Sequence, residues 1–398
     1  MESLIENFRQ KLARTSLKFV RAKMSILDID TKLIGIKGAR GVGKTTMLLQ
    51  YIKKNFGNDL NSVLYVSLDN LWFSENKLND LISNFSKRGG KFLFIDEAHK
   101  YEKWAIVLKN TYDDFADLKV VFTGSSLLEI INARADLSRR ADIFELQGLS
   151  FREFLNLQFG MKFDILSLDD ILKHHEEISL DVVNQLKPIK HFEEYLKYGY
   201  YPFYREHLGL YFSRLEEVIN LIIEIELPQL RNVNIANVAK LKQLLMVIAQ
   251  SAPFIPNITK ISERIGIKRD TLINYLQYLH EADLIFNAFK DVKGITSLQK
   301  PDKIFLENTN LMFALSGNTT DTGNVRETFF INQLKETHLV ELSNQTDFLI
   351  DGKYSFQVGG KNKGKKQLGN IKNAFVAADN IEYGFENKIP LWLFGFMY

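Results

Sequence analysis

The chain has 398 residues, 45% hydrophobic and 25% charged, a globular balance that excludes disorder as its main state. Its 51 Lys plus Arg against 48 Asp plus Glu give a net charge of +3, which excludes a polycationic nucleic-acid coat but not a local basic patch. Cysteine is absent, which excludes disulfides, thiolate metal sites and a catalytic thiol; with a charged start lacking an apolar signal core, this predicts a cytoplasmic protein. No uncharged apolar window of about 18 residues occurs, so no membrane span is expected.

Residues 1–30 read as a helical lead-in. Five short apolar runs follow, at 32–37 (KLIGIK), 63–67 (VLYVS), 91–95 (KFLFI), 119–123 (KVVFT) and 143–146 (IFEL). They alternate little between apolar and polar, which predicts strands buried on both faces, hence a parallel sheet covered by helices on both sides. From about residue 150 the pattern turns helical. A helix over 210–230 is expected to break at Pro228. Three helical stretches fall in 240–282, then two short strands at 284–289 and 303–306. Beyond 308 the reading is mixed. It has a helix over 324–337, strands at 347–350 and 355–358 around the turn Asp351-Gly352, and a final strand at 391–396.

Gly38-Ala39-Arg40-Gly41-Val42-Gly43-Lys44-Thr45 matches the phosphate loop GxxxxGK[ST], and Thr46 continues it into the next helix. Strand before and helix after are the context the motif requires. Glycines let the backbone curl so that N–H groups face phosphate oxygens. Lys44 supplies charge to the β- and γ-phosphates, and Thr45 an oxygen to Mg²⁺. The run FLFIDE puts Asp96 and Glu97 at the C-terminal edge of a buried strand, where ligands of open α/β sheets sit. Asp96 is expected to help hold Mg²⁺, and Glu97 to act as general base on the attacking water. In VVFTGSS, Ser125 and Ser126 are either γ-phosphate contacts or a plain helix cap. Arg134, Arg139 and Arg140 are either a solvated basic loop or guanidinium groups that reach a neighbouring subunit's phosphate. The cofactors expected are therefore ATP and Mg²⁺.

GARGVGKTT, FIDEAHK with Trp104 beyond it, VVFTGSS, LSRRADIFELQGLSFREFL and YGYYPFYRE together resemble prokaryotic P-loop ATPases loosely grouped with AAA+ proteins. In that family a winged-helix and nuclease-like region of unknown function follows the ATPase. The resemblance covers essentially the whole chain and implies ATP binding with slow hydrolysis. It places Arg140 at the position of an Arg that precedes the IFEL-like strand.

The segment 258–282 reads as a helix-turn-helix, with strands 284–289 and 303–306 as a wing. If it meets DNA through 258–306, Lys268 and Arg269 would face phosphate, and Asn274 and Gln277 base edges. Such modules also serve only as packing or oligomer surfaces. The last ninety residues are similar to a PD-(D/E)xK nuclease core, with Glu327 on a helix and Asp347 at a strand. Gln357 stands where a second carboxylate belongs and Gly359 where Lys belongs, with Lys361 and Lys363 displaced; this predicts a dead metal site. The four lysines of 361–366 are either a nucleic-acid surface or a solvated loop. The histidines fit no zinc spacing, and His174 and His175 cannot share a helix face.

The expected organisation is an α/β P-loop NTPase domain (1–150), a helical lid or linker (151–237), a winged helix-turn-helix (238–307) and a degenerate restriction-endonuclease-like α+β domain (308–398). The expected function is a molecular switch or remodelling ATPase acting on a nucleic-acid or protein partner, with homo-oligomer formation open. The alternatives are a DNA-associated regulator for which ATP is a structural ligand, and an ATP-gated nuclease.

Overall fold

The computed structural model describes residues 1–57, 59–124, 137–290, 300–317, 320–364, 368 and 371–398. Ser125, Ser126 and Arg134 therefore lie outside the described residues. The chain divides into two compact units, 1–148 and 149–398.

In the first unit the five apolar runs form strands β1 (Leu33–Lys37), β2 (Val63–Ser67), β3 (Phe92–Asp96), β4 (Lys119–Gly124) and β5 (Asp142–Glu145). All pair in parallel in the order β2-β3-β4-β1-β5. Flanking helices include α1 (Glu2–Arg14), α2 (Lys44–Phe56), α3 (Leu78–Lys87) and α4 (Trp104–Asp114). β2 is buried along its whole length and β4 along all but its first residue, so sheet pairing and apolar burial favour the same strands. Between α1 and β1, the Arg21 guanidinium is buried and donates to the carbonyls of Val42 (3.0 Å), Gln147 (2.9 Å) and Gly148 (3.0 Å). Gln50 of α2 donates to the carbonyls of Ser16 (2.8 Å) and Phe19 (2.7 Å). The lead-in is thus laced to the helix that follows the loop.

The second unit opens with two helices whose starts are set by reciprocal capping boxes. Ser150 and Glu153 cap α5 (Phe151–Phe159); Ser167 and Asp170 cap α6 (Leu168–Gln185). After α7 (Pro188–Glu194), Tyr195–Gly199 makes a π-helical turn. The helix expected to break at Pro228 stays helical through it. α8 (Tyr211–Leu221) passes into a π turn (Ile222–Glu226), and Pro228 follows directly on that turn, in Leu227–Arg231. α9 (Val238–Ser251), α10 (Ile258–Ile265) and α11 (Arg269–Glu281) follow. Gly266 ends α10 in the left-handed region at φ 70°. β6 (Ile285–Ala288) and β7 (Lys303–Leu306) pair antiparallel.

The chain continues through α12 (Thr309–Ser316) and α13 (Thr322–Leu334) into a mixed sheet. Its strands are β8 (Val340–Leu342), β9 (Phe348–Ile350), β10 (Tyr354–Gly359), β11 (Ala374–Ala378) and β12 (Lys388–Pro390), in the order β12-β11-β10-β9-β8. The strand expected at 391–396 is instead a run of 3₁₀ turns, Leu391–Phe396, that is buried throughout. An unbroken apolar run suits a buried strand and a buried helical turn equally well. The expected boundaries at 237 and 307 fall inside this unit. The fully buried Asn310 of α12 shows how tightly it is joined. Its amide donates to the carbonyls of Tyr195 (3.2 Å) and Leu196 (2.9 Å), and its oxygen accepts from Tyr200 N–H (3.0 Å) and the Tyr211 hydroxyl. Both donors and both lone pairs are used.

Candidate functional site

The site forms at the C-terminal edge of the first sheet. Gly38 leaves β1 at φ 155°, and a Cβ there would lie 2.3 Å from the Leu146 carbonyl, so only glycine lets the loop pass the end of β5. Gly41 and Gly43 take φ 83° and 99°. The Lys44 ammonium donates to the loop's own carbonyls at Gly38 (2.8 Å) and Ala39 (3.0 Å). Ala39 and Arg40 continue the turn, Val42 is buried beneath it, and Thr46 is exposed on the first turn of α2. A helix N-terminus behind curled glycine backbone, with a lysine ammonium inside the turn, is the chemistry a polyphosphate requires.

Asp96 is buried at the end of β3 and accepts hydroxyls from three other elements. Thr45 of α2 (2.7 Å) and Tyr65 of β2 (2.8 Å) bond Oδ2, and Thr123 of β4 bonds Oδ1. The carboxylate is thereby fixed one hydrogen bond from the loop's threonine. These two oxygens, on Thr45 and Asp96, are hard donors of the kind Mg²⁺ takes. The Thr123 hydroxyl is thus taken up by Asp96. Tyr65 was not foreseen. Its strand partner is Phe94, and the phenol reaches two residues along to Asp96. Burial first, then the Asp96 charge, pushes the phenol far above its ordinary pKa, so it stays a donor.

Glu97 follows in the left-handed region at φ 52°, ψ 43°, a conformation that costs a residue with a Cβ about 1–2 kcal/mol. Its N–H donates to Thr123 Oγ1 (3.3 Å). His99 stands beside it, Nε2 3.5 Å from Glu97 Oε2. Burial pushes the imidazole down to about 3, with help from the charges of Lys100, Arg40 and Lys44 and against that of Asp69.

Arg140 lies away from this edge. It precedes β5, so it sits at the opposite end of the strand from the loop. There it is forked onto the Asp113 carboxylate at the end of α4, at 2.9 and 3.0 Å. The sheet separates it from the loop of its own chain.

In the second unit, Lys260, Arg264, Lys268, Arg269 and Asn274 are exposed on α10, α11 and the turn between them. Gln277, expected at base edges, is half-buried and donates to Glu281 (3.1 Å), which also holds Arg231 (2.9 Å). Gln277 is therefore committed inside its own helix pair. Around Asp347 the structure gathers Gln357, Val358 and Lys363. Asp347 accepts from Gln357 Nε2 and Val358 N–H, both at 2.7 Å. Lys363, expected to be displaced, folds back to 3.8 Å from Asp347. The Lys363 ammonium also donates to the Val358 carbonyl (2.9 Å). Glu327 is ion-paired with Lys303. Burial, then the Asp347 charge, raises the Glu327 pKa against the pull of Lys303. Among the described residues no group of three or more His, Asp or Glu is placed to hold a metal ion. No helix among them is long and apolar enough to cross a membrane.

A family model described as an AAA domain matches residues 30–155, and one described as a domain of unknown function matches 189–322. Two uncharacterized proteins of Methanocaldococcus jannaschii are similar. One is 26% identical over 316 residues, 76% of this chain and 66% of the relative; the other is 23% identical over 357 residues, 83% and 76%. The chain thus spans slightly under two thirds of the first relative's length. The Walker-type ATPase of Pyrococcus abyssi is 14% identical with a TM-score of 0.44, over 75% of this chain and 96% of that one. AMPPCP-bound DnaA from Aquifex aeolicus is 13% identical with a TM-score of 0.28, over 67% and 93%. The AAA match covers the sheet, loop and acidic strand end just described, so residues 30–155 form an AAA-type P-loop ATPase domain.

Proposed function

We propose that the chain binds Mg²⁺-ATP on the 38–45 loop and hydrolyses it, as a switch or remodelling ATPase acting on a nucleic-acid or protein partner. The observation that carries this is the Asp96 carboxylate, clamped by three hydroxyls of which one is the loop's Thr45. Lys44 leaves the loop carbonyls to meet the β- and γ-phosphates, and the loop N–H groups bind the phosphate oxygens. Thr45 and Asp96 would hold Mg²⁺, which supplies neutralisation of phosphate charge. Glu97 takes a proton from the attacking water as its oxygen bonds the γ-phosphorus. The bond from that phosphorus to the bridging oxygen breaks, leaving ADP and phosphate.

The exposed cations of α10 and α11 favour nucleic acid as the partner, met through the 258–306 segment as a winged helix. The Gln357 amide on Asp347 speaks against cleavage of it, since a hard cation needs a second carboxylate there.

Lys44→Ala is expected to abolish binding of a fluorescent Mg²⁺-nucleotide. Glu97→Gln is expected to keep binding and lower turnover by about 10²–10⁴-fold. Full turnover in Glu97→Gln rejects Glu97 as base; unchanged affinity in Lys44→Ala rejects the whole site.

A further inference from the structure

His99 is a buried polar group at the nucleotide site that the reaction above leaves without a part. Its side chain is 5% exposed, and neither ring nitrogen has a hydrogen-bond partner. Nε2 points at Glu97 Oε2 from 3.5 Å, just outside hydrogen-bond range. The charges of Arg40 and Lys44 on the phosphate loop, and of Asp69 beyond β2, act on the same ring. The imidazole thus lies beside the Glu97 carboxylate, within the field of the loop cations, and neither of its nitrogens is bonded.

We propose that His99 is the positioning residue of Glu97, a neutral imidazole whose Nε2–H donates to Glu97 Oε2 once nucleotide is bound. The proposal rests on Glu97 acting as the base. Glu97 needs one carboxylate oxygen free for the water and the other held, or the group swings between productive and idle rotamers. Thr123 fixes its backbone N–H. Catalytic hydrogen bonds in ligand-free sites are often long and tighten in the substrate complex, and a 3.5 Å approach fits that pattern. Neutrality serves the same end: an imidazolium would pair with the carboxylate and weaken it as a base, and burial together with the loop cations keeps that proton off. His99 keeps its own proton throughout, while the water's proton goes to Glu97.

The test is steady-state and single-turnover ATP hydrolysis by the full chain. The proteins are wild type, His99→Leu, His99→Gln, Glu97→Gln and the Glu97→Gln/His99→Leu double variant. Leucine fills the buried space without a donor, and glutamine offers an amide N–H at similar reach. His99→Leu is expected to lower kcat by about 10–100-fold, as for other residues that orient a reacting group. Its KM for ATP should move by less than about threefold. His99→Gln should recover most of the rate, and the double variant should be no slower than Glu97→Gln alone. Wild-type kcat in His99→Leu, equal rates for the leucine and glutamine variants, or additive losses in the double variant each overturn the assignment. Wild-type turnover that is insensitive to Glu97→Gln strikes down the base itself. Turnover sensitive to Glu97→Gln but indifferent to His99→Leu strikes down only the part given to His99.

Discussion

Asp96 and His99 show opposite solutions to burying a polar group at one sheet edge. Asp96 is satisfied, with hydroxyls from Thr45, Tyr65 and Thr123 replacing water. His99 escapes the cost of burial by remaining neutral, its pKa near 3 instead of 6.5. The unfolded chain binds a proton at this residue near pH 6.5 and the folded chain only near 3. Between these values the unfolded state holds more protons, so His99 makes stability fall as pH falls from about 6.5 towards 3, and has no such effect above that window. His99→Gln removes the titration. Urea midpoints measured from pH 7 to pH 4 are expected to decline less steeply in the variant than in wild type; equal slopes would show that the imidazole is charged in the fold. The loop, Asp96 and Glu97 are readable from GARGVGKT and FLFIDE, because each motif is contiguous. Tyr65 and His99 are not. The role of Tyr65 depends on which strand neighbours β3, and that of His99 on a left-handed turn at Glu97; neither is written in local spacing.

At the scale of elements, the five strands of the first sheet are legible because each is buried enough to read as one apolar run. Their observed ends lie within a residue or two of the runs themselves. The second unit is less legible. α12 is eight residues long and owes its place to Asn310, whose four bonds all go to residues 195–211. β8 is three residues and unmarked by alternation. The capped starts at Ser150 and Ser167, by contrast, follow from local side-chain chemistry. The lead-in acts as a strap on the catalytic loop, since Arg21 holds the Val42 carbonyl together with those of Gln147 and Gly148. Arg21→Met keeps most of the apolar stem and deletes all three bonds. It is expected to destabilise the first unit by at least about 1.5–3 kcal/mol and to weaken nucleotide affinity, read from urea midpoints and a binding titration. An unchanged midpoint would mean that the strap holds nothing.

For the whole molecule, the second unit is closed by its last described residues. Trp392 is 1% exposed and donates from Nε1 to the Ile381 carbonyl (3.1 Å), while Phe394 packs on Phe330 and Phe356. Trp392→Ala is expected to cost about 3–5 kcal/mol. Hydrogen exchange should quicken across β10, β11 and α13 while protection of β1 to β5 stays as in wild type. Faster exchange in both units would show that they unfold together. The order of the first sheet carries a last consequence. The strand bearing the acid and the strand feeding the cradle are not neighbours; β4 is inserted between them as a spacer, touching both. A sideways slip of that one slat opens both seams at once, so the chemistry can be disarmed by a residue that carries no charge and meets no nucleotide.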